Sequence, residues 1–195
     1  MKMFVEVRKK KVYVKNGTLY LGNMEIDDLT QIQGLRELKE LKSLFLFNNY
    51  ICQITNLDSL AELEKLNLYG NNIEEITGLE NLKNLRILFL SDNRIREIKG
   101  LEYLNQLEVL SLEDNRIEKI KGLYHLTNLV SLNLYGNLIT NIEGLECLSK
   151  LKTFRIGNNP ISSNIIEKFG GIDENGYACY PQKIIKNCRN LSLKS

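Results

Sequence analysis

One histidine and four cysteines make a thin supply of metal ligands for a chain of 195 residues. Cys52, Cys147, Cys179 and Cys188 form no C-x-x-C pair, which speaks against a structural zinc site. They are expected as buried, reduced packing residues, since free cysteine behaves as a small hydrophobe. No apolar stretch approaches the roughly 18 residues of a membrane-spanning helix. The opening "MKMFVEVRKKK" has no apolar core of a secretion signal. These absences lead to the expectation of a cytoplasmic protein with no membrane partner. Net charge is only +2, too little to predict attraction to nucleic acid. The glycine-containing "LYGNN" (Leu68 to Asn72) lacks the spacing of a phosphate-cradling loop. His125 has no evident Ser or Cys partner, and the carboxylates are scattered rather than paired. No catalytic residue, metal ligand or cofactor is therefore assigned.

What the sequence does hold is a repeated line. "LNLYGNNIEEITGLENL" (Leu66 to Leu82) returns further along as "LNLYGNLITNIEGLECL" (Leu132 to Leu148). The underlying period is 22, with full units starting at Leu19, Leu41, Leu63, Leu85, Leu107 and Leu129 and a partial unit at Leu151. The shared pattern is L-x-x-L-x-L-x-x-N-x-I-x-x-I-x-G-L-x-x-L-x-x, the signature of a leucine-rich repeat. Position nine holds Asn49, Asn71, Asn93, Asn115, Asn137 and Asn159, with Asp27 in the first unit. Position sixteen holds Gly34, Gly78, Gly100, Gly122 and Gly144, with Asn56 as the one departure.

Each column has a physical reason. The L-x-L core is a short strand whose leucines face one way, into the stack. Apolar residues at spacings of three, such as Ile73, Ile76, Leu79 and Leu82, suit 3-10 or extended turns on the opposite side. One unit cannot bury its apolar face alone, but a stack can. The Asn amide both donates and accepts, so it can satisfy backbone in the bend and form a ladder from unit to unit. A column restricted to Gly and Asn predicts left-handed backbone. The expected fold is α/β: a curved, right-handed solenoid with a parallel concave sheet.

The repeats resemble the 22-residue leucine-rich-repeat subclass named after the nuclear regulatory subunit of protein phosphatase 1. The resemblance rests on N-x-I-x-x-I-x-G-L-x-x-L, as in "NRIREIKGLEYL" (Asn93 to Leu104), and covers residues 19 to about 163. The axonemal dynein light chain and the spliceosomal A-prime protein are members, and bacterial internalins share the period. "YPQKIIKNCRNL" (Tyr180 to Leu191) is similar to the helical cap that closes such solenoids, with Tyr180, Ile184, Ile185, Cys188 and Leu191 in the cap places. "SSNIIEKFGGIDENG" is an insertion before it, read as a helical turn from about Asn164 to Phe169 ended by Gly170-Gly171. At the other end, Asn16-Gly17 between alternating apolar runs is a hairpin cue. "FVEV" (Phe4 to Val7) adds a strand, with Arg8 to Lys11 in the intervening turn. The division is thus an N-terminal cap over 1–18, repeats over 19–163 and a C-terminal cap over 164–195.

Positions three, five and seven of each unit are expected on the concave face. In the first unit these are Leu21, Asn23 and Glu25. Phe45, Phe47, Asn67, Tyr69, Ile87, Phe89 and Val109 then build an aromatic-centred surface, with Glu113, Asp92 and Asp114 as an acidic rim and Tyr135 and Arg155 further along. Contiguous exposed apolar patches mark interaction sites, and aromatics dominate binding hot spots. The expected function is a non-catalytic protein-binding module, an adaptor or regulatory or scaffold subunit, without direct nucleic-acid contact. A monomer is expected, with a homodimer or a terminal segment over the aromatics as the structural alternatives. The functional alternatives are a scaffold subunit of a ribonucleoprotein or cytoskeletal complex, and last an enzyme.

Overall fold

The structure is a computed structural model and describes residues 3–192; residues 1–2 and 193–195 of the expected caps lie outside it. Strands β1 (Phe4–Val7) and β2 (Lys10–Tyr13) form an antiparallel pair. Strands β3 (Thr18–Tyr20), β4 (Ser43–Phe45), β5 (Lys65–Asn67), β6 (Ile87–Phe89), β7 (Val109–Ser111), β8 (Ser131–Asn133) and β9 (Thr153–Arg155) form a seven-stranded parallel sheet in sequence order. Helices α1 (Ser163–Lys168) and α2 (Pro181–Ser192) follow. The chain is a parallel-sheet solenoid, as the period implied.

Each sheet strand is three residues long and points only its middle residue inward. Leu19, Leu44, Leu66, Leu88, Leu110, Leu132 and Phe154 are all fully buried. From β4 onward the register follows the sequence period, Leu44 facing Leu66 and Leu66 facing Leu88. Behind the sheet each coil turns twice through i→i+3 bonds, as where Leu82 N–H donates to Leu79 O and Leu85 N–H to Leu82 O, both at 3.0 Å. These turns bury the leucines at spacings of three. Each fully buried leucine contributes about 1.5–3 kcal/mol of transfer free energy.

The Asn column ties coil to coil. Asn93 Nδ2 donates to Leu90 O and Ser91 O of its own coil and to Leu68 O of the preceding one, at 3.1, 3.2 and 3.0 Å. Its Oδ1 accepts the Ile73 N–H of the preceding coil at 2.9 Å. Asn71, Asn115 and Asn137 repeat this pattern, so the ladder runs through backbone groups rather than from amide to amide. Asn159, half-buried, closes the column on Leu134 O and Ile139 N–H. Position sixteen is left-handed throughout, with φ of 60° at Asn56 and 69° to 84° at the five glycines. A Cβ on Gly100 would sit 2.0 Å from Ile76 O of the preceding coil. That contact, beyond the backbone angle, restricts the column.

The first unit departs from the expected register. Leu19 pairs with Leu44, a longer step in the chain than the one from Leu44 to its own partner Leu66. The excess is absorbed between Glu25 and Gly34, where the chain adds a 3-10 turn at Leu29–Gln31. Consequently Leu21 is fully buried and not concave, and the concave residues of this unit are Thr18, Tyr20 and Gly22 instead of Leu21, Asn23 and Glu25. Asp27 is no ladder member: it is exposed and accepts the Gln31 amide. The ladder starts at Asn49, whose Nδ2 reaches Leu21 O at 2.8 Å and whose Oδ1 takes Met24 N–H and Ile26 N–H.

The caps also differ in detail. Asn16 and Gly17 make the two-residue left-handed turn, with reciprocal 2.9 Å bonds between Lys15 and Thr18. Its arms then diverge, because Leu19 and Leu21 must enter the solenoid core. The hairpin instead joins β1 to β2, and Arg8–Lys9 alone form its turn while Lys10 and Lys11 lie in β2. At the far end α2 buries Ile184, Ile185 and Cys188, while Tyr180 is 61% exposed; the side chain of Leu191 lies outside the described residues. The insertion is itself a cap: Ala178 N–H donates to Phe154 O and Ile156 N–H to Gly176 O, covering the edge of β9 with antiparallel backbone.

Asn93→Ala is expected to lower stability by about 1–3 kcal/mol in urea unfolding, since it orphans buried backbone groups on two coils. Gly100→Ala is expected to cost more than about 1 kcal/mol, through the clash with Ile76 O and the left-handed φ.

Candidate protein-binding surface

With the register corrected, position five reads Tyr20, Phe45, Asn67, Phe89, Ser111, Asn133 and Arg155 along β3 to β9. With Tyr69 just past the end of β5, four successive coils carry a concave aromatic. Tyr20 stacks on Phe45 with ring centroids 4.6 Å apart and planes 17° from parallel. Phe47 lies over Gly22, where a Cβ would fall 2.4 Å from its ring. Tyr20 and Tyr69 are 57% and 43% exposed, and Phe45, Phe47, Ile87, Phe89 and Val109 are half-buried. Lys65 stands at the middle of this floor, its Nζ 5.2 Å from the Phe45 centroid and 5.4 Å from that of Phe89. Asn67, on the same strand, turns its Oδ1 back to the Tyr69 N–H at 2.9 Å.

The other half of the sheet is occupied by its own contacts. Arg155 donates to Glu113 at 2.6 Å and to Asn175 O of the insertion at 2.9 Å. Its guanidinium lies between Tyr135 and Tyr177, 4.0 and 5.5 Å from their centroids. Glu113 also accepts the Asn133 amide at 3.0 Å. The structure thus brings Glu113, Tyr135 and Arg155 together as a brace under the C-terminal cap, apart from the aromatic floor. Of the expected acidic rim, Asp92 and Asp114 stay exposed. The Asp114 carboxyl is held above the usual range, first by partial desolvation, then by Glu113 and Asp92, against the opposing pull of Arg155.

Tyr20 is the residue that sequence reading missed, because the longer first step hid it. A second column went unread: position eight. Its members Asn23, Asn48, Gly70, Asp92, Asp114, Gly136 and Asn158 all have positive φ, from 51° to 67°. Restriction of that column to Asn, Asp and Gly was the available signal. It places a left-handed residue after each strand of the parallel sheet, and its first four members, Asn23, Asn48, Gly70 and Asp92, line a polar groove of about 580 Å³ with Glu25, Tyr50 and Asn72. Arg8 of the hairpin turn is held to Glu25 by its carboxylate and, at 2.7 Å, by its carbonyl.

His125 is exposed on the convex turns with its ring 4.1 Å from that of Tyr124. Among the described residues no group of three or more His, Cys, Asp or Glu side chains is placed to hold a metal. No described helix is long and apolar enough to cross a membrane.

A stacked solenoid with an open aromatic strip defines a repeat protein built around a surface. The tandem Leucine Rich repeats (2 copies) profile matches residues 61–103, 105–147 and 127–168, more than half of the chain, which therefore belongs to the leucine-rich-repeat family. Internalin C2 of Listeria monocytogenes is similar in structure, at 28% identity over 75% of this chain and 74% of that chain, with a TM-score of 0.58. Internalin F of the same organism is 26% identical over 75% of this chain and 49% of that one, at 0.57. A leucine-rich-repeat protein of Leptospira interrogans is 29% identical over 69% of this chain and 36% of that one, at 0.61. The chain thus spans about three quarters of internalin C2 and half or less of the other two. No curated protein matches it in sequence. Proteins of this family typically serve as protein–protein interaction modules.

The cysteines correct the expectation of burial. Cys52, Cys147 and Cys179 are exposed, because they fall on turn positions that face solvent, and only Cys188 is buried. Burial raises the Cys188 thiol from 9.0 to about 11, with Glu146 adding to the shift. The native state therefore holds this proton more tightly than the unfolded chain, and its contribution to stability is lost as pH rises from 9 towards 11. A thiol reagent at pH 8 is expected to titrate three groups in the native protein and the fourth only after denaturation; four rapid native reactions would contradict the placement of Cys188.

Proposed function

We propose that this chain is a non-catalytic protein-binding module, an adaptor or a regulatory or scaffold subunit, that takes its partner on the concave aromatic face. The observation that carries this reading is the run of Tyr20, Phe45, Tyr69 and Phe89 on four successive coils, with Phe47, Ile87 and Val109 beside them. Neither described end folds over it. The N-terminal hairpin bonds to Gln33, and α2 bonds to Ser149 O and Leu151 O. Large exposed apolar patches on soluble proteins mark interaction sites. Asn67 supports the floor, while Glu113, Tyr135 and Arg155 bound it. The exposed carboxylates of Asp92 and Asp114 favour a partner with Lys or Arg beyond its apolar anchor.

The G-L doublet at positions sixteen and seventeen supports the phosphatase-regulator type of repeat. The three exposed thiols suit a reducing compartment, so we place the protein in the cytoplasm. The concave floor carries one cation, Lys65, and Arg155 is engaged internally, which argues against a nucleic-acid ligand. A monomer leaves the face free for a partner.

The test is capture of bound proteins by the wild type and by the Phe45→Ala/Phe89→Ala variant. Loss of two central aromatics is expected to cost at least about 2 kcal/mol of binding. Melting temperature should move by only a few degrees, since both rings are half-exposed. A partner retained by the folded variant would move the site elsewhere; collapse of the fold would make these residues core.

A further inference from the structure

We propose that the occupant of the concave face is an amphipathic helix of a partner protein whose central contact is an Asp or Glu side chain, seated on Lys65 between two apolar anchors. This deepens the proposed function and rests on it. Lys65 is the reason. Its ammonium lies between the Phe45 and Phe89 rings, 5.2 and 5.4 Å from their centroids, on the middle of the aromatic strip. Among the described residues no carboxylate pairs with it. Glu64, its neighbour in sequence, is bound by Lys42 at 3.0 Å, and Glu113 by Arg155 at 2.6 Å. In the free protein, water and the two ring faces hold the charge. A partner that covered Phe45 and Phe89 with apolar groups alone would strip that water and bury an unpaired cation, which is costly. A carboxylate placed between the anchors removes the cost and turns Lys65 into a selector.

The spacing of the floor chooses a helix. Adjacent strands are about 4.8 Å apart, and an α-helix rises about 5.4 Å per turn. A helix laid across the strands therefore sets down one residue per strand, at i−4, i and i+3. With i on Lys65 of β5, its neighbours meet Phe45 of β4 and Phe89 of β6. An extended segment lying the same way returns a side chain to the face only at every second residue, about 6.6 Å apart, and falls out of step within two strands.

The experiment displays a library of 15-residue, alanine-rich helical peptides randomised at the three facing positions. It is sorted on the wild type, on Lys65→Glu and on Phe45→Ala/Phe89→Ala, each first shown to be folded by circular dichroism and melting. The wild type should enrich Asp or Glu at the middle position between Leu, Ile, Met or Phe. Lys65→Glu should enrich Lys or Arg there, and the double variant should enrich nothing. A synthetic peptide from the wild-type sort should weaken about tenfold or more on Lys65→Glu and recover when its central acid is exchanged for lysine. Binders that need Phe45 and Phe89 but show no acidic preference would overturn this inference and leave the concave site standing. Binders that are not helical when bound would overturn it likewise. Peptides that hold the double variant equally well, or a wild-type sort that enriches nothing, would overturn the concave site and this inference together.

Discussion

Everything in this molecule hangs on the contact between one coil and the next. No coil holds its shape alone: its strand is three residues long, and the rest is turns. The buried Asn side chains make the contact specific. Asn93, for example, reaches three carbonyls and one N–H, and the preceding coil supplies one of the carbonyls and the N–H. The glycines opposite bring the backbones so close that a single methyl would strike a carbonyl. Ion pairs between coils, such as Arg86 with Glu108 and Lys99 with Glu75, lie on the exposed surface and add little. The fixed step that results carries the outward side chains with it. Rows of concave residues are aligned because the buried rows are.

A stack of this kind has two ends, and the ends account for the asymmetry of its face. At the C-terminal end the insertion lays antiparallel backbone on β9 and sends Asn175 and Tyr177 to Arg155. That arginine in turn fixes Glu113 and Tyr135. The charges and rings there are used up in holding the cap. At the N-terminal end the hairpin closes the stack from below, through Val5 and Val7 in the core and Glu6 on Gln33, and leaves the concave floor open. The aromatics sit on the open half. The sheet is thus divided into a braced half and an exposed half, with Lys65 among the rings of the latter.

The period, the buried leucines, the Asn column and the left-handed sixteenth position are written in the sequence. They are legible because each repeats, and a residue type that recurs in one column answers to one environment. Phe45, Phe47, Tyr69 and Phe89 could be placed for the same reason, since they fall in columns that the repeat had already oriented. Legibility failed where repetition failed. The longer first step hid Tyr20 and sent Asp27 to the surface. The insertion has no counterpart in any other unit, so its pairing with β9 had no pattern to reveal it.

The sequence by itself thus determined the coil, its step and the direction of every side chain inside the regular array, because those depend on local turns and nearest neighbours. Only the tertiary structure decided which of the outward residues are free. That Glu113 is taken by Arg155 while Lys65 is left to Phe45 and Phe89 depends on contacts between distant units and on an irregular cap. Such pairings are settled by distance in space, which a one-dimensional period does not carry.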